Sequence, residues 1–237
     1  MFTAITTGSM LPFIRSFEVG TITSLPGLRY CLINFDIRCY QDALFTYFAI
    51  PFPQTLSAAV VKRRAEYIAV RYAAKILLRT AGCNNTPGIG QDRAPVWPSG
   101  WCGSLSHTDG HAIALVSPQE ADLIPGVDIE TFSSLTIRQT ANLFSSLDEQ
   151  ALLADSGIDY EIALLVTFSA KESLFKALYP EVRYFFGVEA ARVCKIDILH
   201  QRITLELTQT LTQNRKKGSQ IAGYYVMRDN QVITLFE

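Results

Sequence analysis

Three groups of residues carry types and spacings suited to chemistry on phosphate. The first is Gly126-Val127-Asp128-Ile129-Glu130, where two carboxylates stand two positions apart at the end of an apolar run. Alternate side chains of a strand share a face, so Asp128 and Glu130 point the same way. Like charges that close repel unless solvent or a cation relieves them. Hard oxygen donors in this arrangement suit Mg²⁺, which takes few protein carboxylates and completes its shell with substrate phosphate. On its own such a pair is more often an ordinary strand end in solvent.

The second group is Phe168-Ser169-Ala170-Lys171-Glu172-Ser173-Leu174-Phe175-Lys176, which sets Glu172 and Lys176 one helical turn apart. That is the spacing of a surface ion pair adding only about 0.2–0.5 kcal/mol. It also joins an acid able to bind metal or take a proton to a cation able to reach phosphate. The third group is Gly103-Ser104-Leu105-Ser106-His107-Thr108. Its small residues and hydroxyls let backbone come close to a ligand, and His107 can donate to a phosphate oxygen. No acid is placed to make a serine hydrolase of it, and no G-x-S-x-G elbow occurs in the chain.

These groups need elements to hold them. A long helix is predicted over 58–81, ending before Gly82, with Arg64, Arg71, Lys75 and Arg79 on one face and Ile68, Tyr72, Ile76 and Leu77 as apolar surface. The basic face reads either as solvated charge or as an anion site. Residues 83–103 are dense in Gly, Pro, Asn and Asp, a long loop of the kind that carries function. Strands are predicted over 29–35, 112–117 and 124–129, and helices over 147–154 and 161–178. Leu164, Leu165, Phe168, Phe175 and Leu178 make the buried stripe of the last helix. Four β-rich runs from Val193 to Phe236 predict a closing antiparallel meander. The pattern is α+β, compatible with two similar lobes.

Composition narrows the function class. The 237 residues suffice for one large domain or two modest ones, and 49% hydrophobic against 18% charged residues predicts order nearly throughout. A formal net charge of -1 argues against a nucleic-acid coat protein. The N-terminus lacks a basic stretch leading into an apolar one, and no apolar run nears the roughly 18 residues of a membrane span, so a cytoplasmic location is expected. Five scattered cysteines without a C-x-x-C pair indicate neither a disulfide framework nor a zinc site.

Taken together, the basic helix from Lys62, R-x-P-x-W-P-x-G (Arg93 to Gly100), G-S-L-S-H (Gly103 to His107), G-V-D-I-E (Gly126 to Glu130) and F-S-A-K-E-S-L-F-K (Phe168 to Lys176) resemble the 4′-phosphopantetheinyl transferase superfamily. The likeness is to the branch serving enterobactin-type siderophore and other nonribosomal peptide synthases. It implies two similar α/β lobes with pseudo-twofold symmetry, bounded here as 1–120 and 121–237, with coenzyme A in the cleft between them. It implies transfer of the phosphopantetheine arm of coenzyme A to a serine of an apo carrier protein, releasing adenosine 3′,5′-bisphosphate. The acceptor would be a carrier domain of a nonribosomal peptide or siderophore, polyketide or fatty-acid synthase, and the enzyme a monomer without nucleic acid or membrane partners.

The resemblance further implies Mg²⁺, with Mn²⁺ as an alternative, on Asp128, Glu130 and Glu172. Glu172 is the implied general base and Lys176 the contact to pyrophosphate. Ser106 and His107 would grip phosphates and Arg93 would meet the 3′-phosphate or adenine end. Val70 stands where the family often has Gly, which leaves the coenzyme A contact open among Arg63, Arg64 and Arg71. Phe168 replaces the common Trp. Two other classes fit parts of the pattern: a magnesium-dependent nuclease or phosphodiesterase, and a non-catalytic module that binds coenzyme A or carrier protein.

Overall fold

In the computed structural model, which describes residues 1–237, the chain opens with three strands, β1 (Phe2–Met10), β2 (Ile14–Ile22) and β3 (Leu25–Phe35). A short helix α1 (Ala43–Tyr47) and the long helix α2 (Val61–Thr80) follow, then the two-residue strands β4 (Gly88–Ile89) and β5 (Pro95–Val96), then β6 (Trp101–Thr108) and β7 (His111–Pro118). These form an antiparallel sheet in the order β1-β2-β3-β7-β6, with β4 and β5 a separate hairpin. Helix α2 packs on β3, β7 and β6. It can lie close because Ala65, Ala69, Ala73 and Ala74 are fully buried along its inner side beside Ile68, Leu77 and Leu78.

The second set of elements is β8 (Gly126–Thr131), α3 (Ser134–Phe144), α4 (Leu147–Ala154), α5 (Tyr160–Val182), β9 (Ala191–Asp197), β10 (Arg202–Leu207), β11 (Gln220–Arg228) and β12 (Gln231–Phe236). Its sheet runs β8-β12-β11-β10-β9, again antiparallel throughout. Helix α5 starts at the cap Asp159, whose carboxylate accepts from the Glu161 and Ile162 amides at 3.1 and 3.3 Å. Leu164, Leu165, Leu174 and Leu178 are buried beneath it.

Contacts divide the chain into two units, Met1–Pro125 and Gly126–Glu237, each with its own hydrophobic core. Each unit pairs one five-stranded antiparallel sheet with one long helix, an α+β architecture. The division falls after Pro125 rather than near 120, because the strand opening the second unit begins only at Gly126. Three further differences from the sequence reading stand out. Strands β1 and β2 were not foreseen, nor was α3, and the 83–103 loop gives way at Trp101 to β6. No helix is long and apolar enough to cross a membrane.

Candidate active site

In the second unit, Gly126 sets the geometry. A Cβ at this position would lie 1.9 Å from the Ser173 carbonyl oxygen and 2.4 Å from the Ala177 amide nitrogen. Only glycine therefore allows the α5 backbone to rest on β8. That close approach carries Ser169, Glu172, Ser173 and Lys176, successive positions along one side of the helix, over the strand bearing Asp128.

Asp128 is almost fully buried, and its carboxylate is held from two sides. Ser169 Oγ donates to Oδ2 at 2.9 Å, and Lys176 Nζ donates to Oδ1 at 2.7 Å while also bonding the Val127 carbonyl oxygen at 3.0 Å. Behind Ser169, Thr234 Oγ1 lies 2.9 Å from Ser169 Oγ and 2.8 Å from Ser173 Oγ. Thr234 sits directly opposite Asp128 in the β8–β12 ladder, so sheet register fixes this hydroxyl chain.

Burial pushes the Glu172 carboxyl above its ordinary pKa; Lys176 pulls it down and the neighbouring Asp128 charge raises it again. Glu130, two positions beyond Asp128, is half-buried and lines an apolar cavity of about 360 Å³ together with Ile137, Phe144, Leu165 and Phe168. Phe168 is thus only partly in the core, and its ring packs 5.3 Å from Phe144.

No three His, Cys, Asp or Glu side chains are gathered tightly enough to enclose an ion as they stand. The donor set nevertheless fits a hard divalent cation. All three candidates are carboxylates, and Glu172 beside Asp128 carries the like-charge strain that a cation relieves. Lys176 supplies part of that relief in this structure, and an ion sharing Asp128 Oδ1 would compete with it.

In the first unit, β6 separates the two residues of the Ser106-His107 pair. Adjacent strand residues face opposite ways. His107 meets α2, on the same side as Leu105, which packs against the first core. Ser106, like Ser104, is buried on the other face. The strand is kept close to the preceding loop by Gly103, since a Cβ there would meet the Trp97 ring at 2.7 Å and the Leu115 carbonyl oxygen at 2.1 Å. The R-x-P-x-W-P-x-G and G-S-L-S-H stretches are thus packed together through Trp97.

Three of the four arginines of α2, Arg63, Arg64 and Arg71, have different employments, while Arg79 in the last turn is exposed. Arg63 is exposed, and its Nη1 donates to His107 Nε2 at 2.7 Å. Arg64 bonds the Leu56 and Ser57 carbonyl oxygens at 3.0 and 2.6 Å and the Asp42 carboxylate at 3.0 Å, which commits its guanidinium to pinning residues 42–57 on the helix. Arg71 is buried, lies over the Tyr67 ring at 4.7 Å, and donates Nη2 to the Gly88 carbonyl oxygen at 3.0 Å. Its Nε has no partner. Lys75 is buried too and bonds the Phe48 and Ala49 carbonyl oxygens, both at 2.7 Å. The basic side of α2 is therefore solvated only at its end: Arg64, Arg71 and Lys75 clamp loop backbone, while Arg79 is exposed. Arg93 stands exposed in the turn between β4 and β5 with φ of 67°, and Arg71 holds the base of that hairpin.

Sequence reasoning missed Glu66, a buried carboxylate of α2 whose Oε2 lies 3.6 Å from His107 Nδ1. It also missed the buried pair Lys171–Glu149, at 2.8 Å, which ties α5 to α4. Glu66 follows Lys62 at ion-pair spacing and so passes for a surface glutamate, while Lys171 and Glu149 are too far apart in sequence to suggest one another.

Comparison with known proteins agrees with this arrangement. Residues 52–117 match the 4′-phosphopantetheinyl transferase N-terminal domain, and residues 125–235 match the 4′-phosphopantetheinyl transferase superfamily. The enterobactin synthase component D of Salmonella typhi is 33% identical over 210 residues, covering 88% of this chain and 86% of the relative. That of Escherichia coli is 41% identical over 162 residues, covering 66% and 75%. A 4′-phosphopantetheinyl transferase of Mycobacterium tuberculosis is 32% identical over 142 residues, covering 58% and 61%. The matched spans contain every residue of both constellations, and the chain belongs to the 4′-phosphopantetheinyl transferase superfamily and is an enzyme of that class.

Proposed function

We propose that this enzyme moves the 4′-phosphopantetheine arm of coenzyme A onto a serine hydroxyl of an apo carrier protein. The observation that carries this reading is the seating of α5 on β8, which gathers Asp128, Glu172 and Lys176 into one electrostatically coupled group. The serine oxygen attacks the β-phosphorus, the bond to the bridging oxygen breaks, and adenosine 3′,5′-bisphosphate leaves.

Glu172 takes the serine proton. Its raised pKa brings it nearer the working pH than an ordinary glutamate, which suits a general base. Lys176 offers positive charge where the leaving oxygen becomes more negative. Asp128, Glu130 and Glu172 would hold Mg²⁺ or Mn²⁺, which when bound adds positive charge against the pyrophosphate. Ser169 and Thr234 keep Asp128 oriented toward that task. From the first unit the reading takes the exposed Arg63 and Arg93 and the half-buried His107 toward the phosphates of coenzyme A, with buried Arg71 holding the hairpin that carries Arg93, and leaves out Ser106, buried on the opposite face of β6. Positioning and charge stabilisation supply most of the rate, as in other phosphoryl transfers.

The acceptor is a carrier domain of the siderophore or other nonribosomal peptide type. The relatives named enterobactin synthase component D support that choice over polyketide or fatty-acid carriers. Exposed Leu135 and Leu143 of α3 and Leu147 of α4, which follow Phe132, are the surface offered to it. The enzyme works as a cytoplasmic monomer. The testing experiment pairs binding with turnover: Glu172→Gln binds coenzyme A within about threefold of the unmodified enzyme yet transfers about a hundredfold more slowly, the usual scale for a lost general base. Near-normal turnover of this variant contradicts the assignment.

A further inference from the structure

Glu66, which the proposed chemistry does not itself use, faces His107, which it does. In the first two turns of α2, Lys62, Arg63 and Glu66 lie at positions that share a side of the helix, and β6 sets His107 against them. The ring is approached at both nitrogens. Arg63 Nη1 is 2.7 Å from Nε2, and Glu66 Oε2 is 3.6 Å from Nδ1.

A guanidinium has donors only, so Nε2 must be the acceptor in this contact. The neutral ring then carries its single proton on Nδ1, the nitrogen facing the Glu66 carboxylate. At 3.6 Å this is an attraction between charge and N–H dipole rather than a closed hydrogen bond. Glu66 is only 7% exposed, so little solvent screens it. Burial raises its pKa; Lys62, at 3.9 Å, and Arg63 lower it, and Asp109 raises it again. Lys62 is also paired with Asp109, in the turn that follows His107.

We infer that Glu66 is a positioning residue: it fixes the Nδ1–H tautomer and the ring angle of His107, so that Nε2 receives one Arg63 donor and aims the rest of that guanidinium at an incoming phosphate. An arginine carries five N–H donors, and one spent on the ring leaves a fork for a phosphate oxygen pair. The long, exposed Arg63 side chain gains from such a brace, because a donor already oriented loses less freedom on binding. His107 thus serves the phosphate through Arg63, as an outer partner orients a ligand-binding group. The inference rests on the reading of Arg63 and His107 as groups serving coenzyme A phosphate.

The test begins without coenzyme A. The chain has three histidines, His107, His111 and His200, so two-bond ¹H–¹⁵N correlation spectra of histidine-labelled enzyme resolve each ring. The expected spectrum shows neutral His107 as Nδ1–H, and Glu66→Gln converts it to a mixture or to Nε2–H. In turnover, Glu66→Gln raises KM for coenzyme A by about tenfold, the lower end for loss of an outer partner, with kcat within about twofold. Glu66→Asp recovers part of the loss. A purely packing role predicts a lowered thermal midpoint with the tautomer unchanged. An Nε2–H ring in the unmodified enzyme, or a Glu66→Gln variant with unaltered ring spectrum and KM, overturns the inference. The ring spectrum is read without substrate, so its outcome is separate from whether the arm is transferred.

Discussion

Lys176 Nζ donates to Asp128 Oδ1 at 2.7 Å, so a carboxylate expected to bind a cation already has one. The lysine is about a quarter exposed and the aspartate nearly buried, which makes Lys176 the partner able to turn away toward phosphate. Lys176→Met keeps the bulk of the stem and removes the charge. We predict a fall in kcat of about 10²–10³-fold, the scale for losing one stabilising donor. Steady-state kinetics with saturating coenzyme A measures it, and a change confined to KM would mean that Lys176 acts in the ground state alone.

Cation binding should be strongly pH-dependent. Burial, together with the Asp128 charge, raises the Glu172 pKa, and Lys176 opposes that shift. A protonated carboxyl is a poor ligand, so Mg²⁺ affinity rises with pH and levels off only above the raised Glu172 value, higher than the roughly 4.3 of an ordinary glutamate. Calorimetric titration of Mg²⁺ at several pH values follows this. Glu172→Gln should give weaker binding with a flatter profile.

Gly126→Ala tests the seating of α5 on β8. The added Cβ would lie 1.9 Å from the Ser173 carbonyl oxygen, and the nearest atoms are backbone that cannot swing aside. We predict a loss of about 1–3 kcal/mol in stability, as in other overpacked cores, and a larger proportional loss of activity than of thermal midpoint. Denaturant melts and transfer rates on the same preparation separate the two effects.

The buried pair Glu149–Lys171 predicts acid sensitivity. Burial pushes Glu149 up, but hydrogen bonds from Lys171 and the Ser146 amide, the Lys171 charge and the Val193 amide more than offset it, so its folded pKa is lowered. A depressed carboxyl contributes stability that is present above its unfolded value, about 4.3, and is lost as pH falls through the folded value. Glu149→Gln leaves Lys171 buried without its charge partner and should lower stability by about 3–5 kcal/mol at neutral pH. The difference between variant and unmodified protein should narrow in acid, which denaturant melts across pH would show.

What sequence revealed follows from what sequence encodes locally. Helix α5 and the β9–β12 meander were legible because α5 is a long apolar run rich in Leu and Ala, and the meander is four separate β-rich runs. Strand β1 was not, since most of its residues are exposed, none is fully buried, and no inward-facing period marks it. Strand β6 was not read as a strand because Gly103, Ser104 and Ser106 carry loop composition; at Gly103 only glycine fits, since the Trp97 ring and the Leu115 carbonyl oxygen crowd that position. Helix α3 carries an i, i+4, i+7 stripe, Ile137, Ala141 and Phe144, which the sequence reading passed over although its spacing is helical.

Of the site, Asp128, Glu130, Glu172 and Lys176 were visible as spacings, and their joint occurrence with the other stretches gave the family. The division of labour among Arg63, Arg64 and Arg71 was not visible. It depends on which backbone carbonyls and which ring happen to face the helix, and those come from distant segments. Membership of the transferase superfamily sets the nuclease class and the non-catalytic module aside.

The most direct measurement is the intact mass of an apo carrier domain of nonribosomal peptide type after incubation with the enzyme, coenzyme A and Mg²⁺. The expected result is a gain of one phosphopantetheine on the carrier serine, with adenosine 3′,5′-bisphosphate released, abolished by chelator and reduced about a hundredfold by Glu172→Gln. An unmodified carrier mass across carrier domains of the nonribosomal peptide, polyketide and fatty-acid types, under conditions where the enzyme is folded and binds coenzyme A, would contradict it.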